Sequence, residues 1–452
     1  MRVYRGLINF MMNHLLITPN REGILQAASL IKSGKLVAFP TETVYGLGAN
    51  ALNAEAVKSI FTAKGRPLTD PVIVHISKQS DSYELVDLNP TEKEVYDSLS
   101  RTFWPGPLTL IVKASSRVPM LVTANTGFVG IRVPKHPLAV ELLEASALPI
   151  AAPSANRFGH VSPTTAAHVL ADLGEKDVHI LNGEEYKSAK DSTAYYQNCE
   201  IGIESSVVKI DEANKQLIIF RQGAVSQAQL EKCLSSIPRN SWKVVSVQRS
   251  VKMHSTDSSG PAAKPAAEQQ SEEEEEQEKL AGQQAPGQAI THYAPDVPCF
   301  ILSESSYMQA SSGTVKASTS RAADMIIPAL ELTLRECKEQ CVVVDFAGRL
   351  SWLQRHSLAY RDLSVSGSAA EAARGLFDTL RWAESVEGAT RVFIAAIPTA
   401  TPVAAVASMA AIAALGTSEE QYMRDTVDMS LGLADRVFRA ASGVILQLTV
   451  VQ

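Results

Sequence analysis

Lys64-Gly65-Arg66-Pro67 sets two cations one residue apart. In an extended segment side chains alternate, so both would point to the same face. Two cations aimed at one spot repel unless an anion lies between them, and a polyphosphate is such an anion. A surface turn tolerates the same tetrapeptide, so the motif needs company to mean anything. Company comes from Ser154-Ala155-Asn156, which supplies a hydroxyl and an amide where the apolar run Leu148 to Pro153 ends. Arg132 sits inside Gly130-Ile131-Arg132-Val133-Pro134, where an arginine is buried and must meet a carboxylate or a phosphate. Thr41, Glu42 and Thr43 follow a short apolar segment, Ser205 and Ser206 follow Glu204, and Arg221 ends the next apolar run. His75 falls within Val72 to Ile76, a strand position where histidine is more often structural than catalytic.

The elements that must position these groups alternate in type. A helix is expected over 18–34, a strand over Leu36 to Pro40 and a hydroxyl- and glycine-rich loop from Thr41 to Gly48. A helix from Asn53 to Ala63 follows, then strands at Pro71–Ile76, Leu108–Lys113, Val129–Val133 and Pro149–Ala152. Ile203–Ile210 and Gln216–Phe220 read as a hairpin. This pattern makes an α/β domain with an open, twisted mixed sheet. From about 247 to 290 Ser, Gln, Ala and Pro dominate, with an acidic run at Glu272 to Glu276; such a segment cannot bury enough apolar surface to offset its ordering entropy. Beyond it, strands at Phe300–Leu302, Cys341–Phe346 and Val392–Ala396, with helices near 319–336, 368–384 and 431–442, read as a smaller Rossmann-like α/β unit with a parallel sheet. The division expected is a tail over 1–17, a first domain over 18–235, a linker over 236–295 and a second domain over 296–452.

At 452 residues the chain exceeds a single core. A net charge of −6 leaves no global basic field for nucleic acid, so contact with RNA is weak and local. Five scattered cysteines form no Cys-x-x-Cys pair, which argues against structural zinc and for a reducing, cytoplasmic setting. Arg2, Arg5 and Arg21 precede or flank the first acid, Glu22, so the first residues read either as a mitochondrial presequence or as a short tail. Thr401 to Leu415 is the longest apolar run and reads as a buried helix, so no membrane association is expected. Gly46-Leu47-Gly48-Ala49-Asn50-Ala51 lacks the last glycine of a dinucleotide fingerprint.

Taken in order, Phe39 to Leu47, Lys64 to Pro67, Pro71 to Ile76, Trp104 to Leu110, Gly130 to Pro134, Pro153 to Asn156, Val161 to Thr164, Gly202 to Val208 and Arg221 to Gly223 resemble the YrdC-type domain of L-threonylcarbamoyladenylate synthases. Ala285-Pro286-Gly287 and His292-Tyr293-Ala294-Pro295 resemble the linker of the two-domain form. Ala372 to Phe377 and Gly432-Leu433-Ala434-Asp435-Arg436 resemble its second domain.

The resemblance implies a nucleotidyl transfer. L-threonine, bicarbonate and ATP, the last with magnesium, give threonylcarbamoyl-AMP and pyrophosphate, for use by a downstream tRNA threonylcarbamoyl transfer complex. It implies that Thr43, His75, Arg132, Ser205 and the backbone of Ala152 contact L-threonine. Lys64, Arg66, Asp70, Phe128, Ser154, Asn156, Ser162 and Arg221 fall on the nucleotide side, with Lys64 and Arg66 carrying the catalytic charge, and no protein-bound metal is implied. Tyr293 matches a linker tyrosine that folds over the nucleotide. Departures from the family pattern are Asp70 for asparagine, Ser206 for threonine, Phe158 for a small polar residue and an insertion over 184–199. An RNA-binding module and a silent nucleotide sensor are the rival readings.

Overall fold

The computed structural model describes residues 15–184, 186, 199–237, 242–247, 283, 285, 293–303, 306–309, 329–398 and 417–451, with no side-chain account for 307–309 and 417–428. The acidic run, most of the 184–199 insertion, the Thr401–Leu415 run and residues 1–14 lie outside them.

The first domain is built on β1 (Leu16–Ile17), β2 (Val37–Phe39), β3 (Gly46–Asn50), β4 (Ile73–His75), β5 (Leu108–Lys113), β6 (Phe128–Arg132), β7 (Ile150–Ala151), β8 (His179–Leu181), β9 (Ser206–Asp211), β10 (Gln216–Arg221) and β11 (Lys243–Ser246). They form one mixed sheet in the order β1-β8-β2-β3-β7-β4-β6-β5-β9-β10-β11. Helices α1 (Arg21–Lys32), α2 (Ala54–Lys64), α3 (Pro90–Phe103), α4 (Pro137–Ser146), α5 (Ala166–Leu173) and α6 (Gln227–Ser235) connect and cover it.

Local chemistry fixes the boundaries. Asn20, not Thr18, caps α1 by accepting from the Gly23 amide. Asn53 caps α2 in the same way, and Gly65, at φ 65°, ends it in the left-handed region. Lys64 is therefore the last helical residue, and the extended conformation expected for Lys64 to Pro67 is not what forms. The loop expected from Thr41 to Gly48 is shorter, because Gly46–Asn50 pairs antiparallel with β2. Adding a Cβ at Gly48 would bring it 2.9 Å from Ile150 and 3.0 Å from the Val37 carbonyl, so only glycine lets the three strands close up. The hairpin of β9 and β10 forms with a register shift next to Arg221, and β11 extends the sheet past residue 235.

The second domain contains β12 (Cys299–Leu302), β13 (Tyr307–Gln309), β14 (Ala329–Thr333), α7 (Leu334–Gln340), β15 (Cys341–Asp345), β16 (Ala359–Asp362), α8 (Ala369–Ser385), β17 (Arg391–Ala395), α9 (Thr417–Ala440) and β18 (Ile445–Val451). Every pairing among these described strands is parallel, as expected. The helix expected near 319–336 is corrected. Residues 329–333 alternate exposed and covered side chains as a strand, and Thr333 with Glu336 forms a capping box that starts α7 only afterwards.

The domains share a core. Val44, Val161, Ile203 and Tyr293 pack into the same apolar cluster as Phe377 and Leu433 of the second domain. Gly202 lies so close to α8 that a Cβ would come within 2.4 Å of the Arg374 Cα, and its φ of +79° suits glycine alone. Polar contacts complete the seam. Arg381 binds Asp172 through both terminal nitrogens, at 3.1 and 3.0 Å. The ring of His160 lies between Asp172 at 2.8 Å and Glu384 at 3.0 Å. Burial opposes its charge and Arg381 adds repulsion, but the two carboxylates outweigh both and raise the His160 pKa above its ordinary 6.5.

Because the folded value is raised, the stability that His160 contributes is fully present below pH 6.5 and fades as pH climbs through the folded value. His160→Gln should therefore cost most near pH 6 and progressively less toward alkaline pH. Thermal unfolding of both proteins across that range checks this; a constant difference would rule the imidazolium out.

Candidate active site

The cavity lies where β3, β4, β6 and β7 meet the β9–β10 hairpin. It is lined by Thr41, Thr43, Val44, Tyr45, Gly46, Arg66, Ile73, His75, Arg132, Ala152, Pro153, Ser154, Glu204, Ser205, Arg221 and Tyr293. Nine of the residues singled out in the sequence therefore share one wall: Thr43, Arg66, His75, Arg132, Ala152, Ser154, Ser205, Arg221 and Tyr293.

Each buried cation in that wall has an internal partner. Arg66 follows the αL turn at the end of α2 and reaches Asp70 at 2.9 Å, and it donates to the carbonyls of Asp70 and Pro71. Arg132 projects from the end of β6. It donates to Glu42 at 2.6 Å, to the Thr43 hydroxyl at 3.0 Å and to the Gly106 carbonyl. The anion demanded by its apolar setting is thus Glu42, a protein carboxylate. Burial works against ionised Glu42, but the charge and hydrogen bond of Arg132 and the Lys135 amide overcome it and keep the carboxyl below its ordinary range. Arg221, at the end of β10, donates to the carbonyl of Ser205 at 3.0 Å and to its hydroxyl at 3.1 Å. That hydroxyl also meets Thr109 at 2.9 Å.

His75 closes the floor from β4. Burial first, and the charge of Arg132 second, depress its pKa to about 3, so the ring is neutral. Its Nδ1 is buried without a hydrogen-bond partner in the protein, and Phe39 meets the ring edge-on at 6.2 Å. A neutral imidazole with an unclaimed nitrogen can hydrogen-bond a ligand without adding charge.

Five expected residues stand behind the wall rather than in it. Lys64 donates to the carbonyls of Ser154, at 2.6 Å, and Asn156, so it ties the end of α2 to the Ser-Ala-Asn turn. Burial, and then Arg66, push its ammonium well below the usual lysine range. Asn156 accepts from the Ser154 hydroxyl at 2.5 Å and donates to the Arg157 and His160 carbonyls. Ser162 donates to Glu204 at 2.5 Å. Asp70 is held by Arg66. Phe128 begins β6 at the opposite end of the strand from Arg132, under the Lys209 ammonium. The sequence reading passed over Glu204, which lines the cavity between Ser162 and Arg436. Its place beside Ser205 was visible in the sequence, but a partner 232 residues away was not.

Tyr293, at φ 65°, lies buried between the domains. Its ring packs on Phe377 at 5.4 Å and beneath the guanidinium groups of Arg436 and Arg439 at 5.4 and 5.8 Å. The Ala294 amide bonds to the Gly159 carbonyl, so the linker is pinned beside the Ser-Ala-Asn turn. With Tyr293 in place the cavity encloses about 50 Å³, space for a few waters.

This fold and this arginine-lined cavity define a two-domain α/β protein whose second domain covers a cationic site in the first. The family model described as "Telomere recombination", for Sua5, YciO and YrdC, matches residues 29–195. That of "Threonylcarbamoyl-AMP synthase, C-terminal domain" matches 225–414. The Threonylcarbamoyl-AMP synthase of Pyrococcus abyssi is 44% identical over 211 residues, 47% of this chain and 57% of that protein. That of Vibrio vulnificus is 35% identical over 161 residues, 35% of this chain and 85% of its own. The crystal structure of P. abyssi Sua5 complexed with L-threonine matches with a TM-score of 0.63 at 27% identity, over 96% of this chain and 99% of that one. The chain belongs to the threonylcarbamoyl-AMP synthase family in its two-domain, Sua5-like form. Its sequence match spans 57% of the P. abyssi relative's length and 59% of that of Bacillus subtilis.

Glu42→Gln should leave the buried Arg132 charge without its counter-ion and cost about 3–5 kcal/mol. Denaturant unfolding of the two proteins measures it; a loss below about 1 kcal/mol, the range of an exposed pair, would show that water or another anion reaches Arg132.

Proposed function

We propose that the protein makes L-threonylcarbamoyl-AMP from L-threonine, bicarbonate and ATP, releasing pyrophosphate. The observation that carries this reading is the meeting of Arg66, Arg132 and Arg221 with neutral His75, Thr43 and Ser205 in one buried cavity. The threonine amine and bicarbonate condense to a carbamate with loss of water. A carbamate oxygen then attacks the α-phosphorus, the bond from that phosphorus to the bridging oxygen breaks, and pyrophosphate leaves. Such a reaction needs positioning and charge neutralisation more than a covalent nucleophile.

In this reading Arg132 and Thr43 take the threonine carboxylate and hydroxyl, with His75, Ser205 and the Ala152 backbone completing that side. Arg66, Arg221 and Ser154 take the phosphates. Lys64 and Asn156 act by holding the turn that carries Ser154, and Ser162 by holding Glu204. Asp70 aims Arg66, and the family resemblance alone assigns Phe128 to the nucleotide side, because it begins β6 away from the cavity lining. Magnesium fits as an ion that arrives on its substrate, because Glu42, Asp70 and Glu204 are each engaged by arginine. Its ligands would be phosphate oxygens and water, and it would neutralise charge on the leaving pyrophosphate.

A nucleotide pocket occupies some 300–1,000 Å³, far above the 50 Å³ enclosed here. Tyr293 and its segment therefore act as a lid that lifts for ATP and then excludes water from the labile carbamate. The product feeds a tRNA threonylcarbamoyl transfer complex. RNA itself makes at most weak contact with so acidic a chain. No helix of the described residues is long and apolar enough to cross a membrane. The five cysteines form no disulfide, which suits the cytoplasmic setting, with a mitochondrial share if the first arginines direct one.

Pyrophosphate release should require L-threonine and bicarbonate together. Arg66→Ala should lower it by about 10²-fold or more, the usual worth of a preorganised charge at a reacting phosphate. Lys64→Ala should abolish it as well, while leaving two carbonyls bare. Release that ignores either co-substrate, or normal turnover in both variants, would end the assignment.

A further inference from the structure

Arg436 belongs to the second domain, yet its guanidinium ends directly behind the cavity wall of the first, on Glu204 and Gln222. It extends from α9, has no exposed surface and is held on every side. Its Nε donates to Glu204 Oε2 at 2.8 Å, and its Nη1 to the Gln222 carbonyl at 2.7 Å and to Asp435 at 2.9 Å. The guanidinium plane also sits 5.4 Å from the centre of the Tyr293 ring. Glu204 and Gln222 are not arbitrary anchors. Glu204 immediately precedes Ser205, and Gln222 immediately follows Arg221. Ser205 and Arg221 are the hydrogen-bonded pair that face the cavity. One guanidinium thus clamps the two backbone strands that carry them, at the point where the hairpin register shifts.

The same contact settles a charge problem. Glu204 lines the cavity and is almost fully buried. An unpaired carboxylate there would repel a triphosphate across a low-dielectric gap. Ser162 supplies one hydrogen bond to it, but no charge. The direct ion pair comes from the other domain, and the nearby Arg221 charge acts second. Gly432, one turn earlier in α9, makes the approach possible: a Cβ there would fall 3.1 Å from Ile203 and 3.4 Å from the Gly223 carbonyl.

We propose that Arg436 is a positioning residue for the nucleotide side of the active site, acting across the domain boundary by clamping the Ser205–Arg221 pair and cancelling the Glu204 charge. This deepens the proposed function and rests on it for the identity of the anionic ligand. The second domain is then part of the nucleotide site whenever the lid is closed, because Arg436 touches Tyr293 and Glu204 together.

The test uses the full chain, with equilibrium ATP binding measured beside pyrophosphate release. Arg436→Gln should weaken ATP binding and raise the KM for ATP at least about tenfold, with the KM for L-threonine changed less, because the uncovered charge faces the phosphates. Arg436→Gln combined with Glu204→Gln should recover most of that loss, since the repelling carboxylate is gone. Arg436→Lys should fall between, keeping the charge while losing the fork that reaches Gln222. If Arg436 merely held the domains together, the double variant would be no better than Arg436→Gln, and both KM values would move alike; that result overturns the proposal. An unchanged KM for ATP in Arg436→Gln overturns it too. Absence of threonine-dependent turnover in the unaltered protein would defeat the proposed function instead, and the ATP-binding comparison would still decide the role of Arg436.

Discussion

A buried guanidinium needs an anion within reach, and the architecture around the cavity follows from meeting that need several times in a small space. Arg66 has Asp70, Arg132 has Glu42 and Arg436 has Glu204. Arg221 donates to the neutral oxygens of Ser205, with the Glu204 charge nearby. Arg66 and Arg132, which line the cavity, have donors beyond those their carboxylates use. The cavity can therefore stand closed without a ligand and still offer directed N–H groups to one. A site of bare cations would repel itself apart; a site with every donor consumed would bind nothing.

The same economy explains why the wall is drawn from so many elements. A carboxylate next in sequence to its arginine could not be placed independently of it. Glu42 lies just beyond β2 while Arg132 ends β6, and the pairing of β4 with β6 and β7 brings those regions together. Lys64 joins the end of α2 to the turn at 154–156 and fixes Ser154 without entering the cavity. The charge that looks most catalytic in the sequence is, in the closed state, a strut.

Legibility in the sequence tracked the range of the interaction. Strand positions such as Leu108–Lys113 and the start of α2 at Asn53 depend on neighbours a few residues away and are legible, and the alternation of strands with helices makes the parallel second sheet legible too. The need of Arg132 for an anion was readable from its apolar setting, but not which anion, because Glu42 lies 90 residues earlier. The spacing of Lys64-Gly65-Arg66 suggests an extended segment, whereas glycine there stops a helix in the left-handed region; Arg66 then faces the cavity while Lys64 reaches the 154–156 turn. Residues 329–333 carry the alternation of a strand within a stretch whose composition favours helix, and pairing with β18 decides the contest. The order of motifs did more than any one of them. Nine of the cavity-lining residues are ones to which the resemblance gives a substrate-side role, whereas Glu204 enters only as a neighbour of Ser205.

The boundary between the domains is then better seen as a functional surface than as a connection. Asp172, His160, Glu204 and Gln222 of the first domain meet Arg381, Glu384 and Arg436 of the second. Tyr293 from the linker is buried where these contacts converge. On the proposed reading, lifting that tyrosine to admit a nucleotide would expose the face of Phe377 and loosen the cation–π contacts to Arg436 and Arg439. Such an opening would give up these contacts, and closure would recover them. In the proposed reaction the contacts that hold Tyr293 down would also shield a hydrolysis-prone carbamate, because they narrow the cavity beside Ser205 and Arg221.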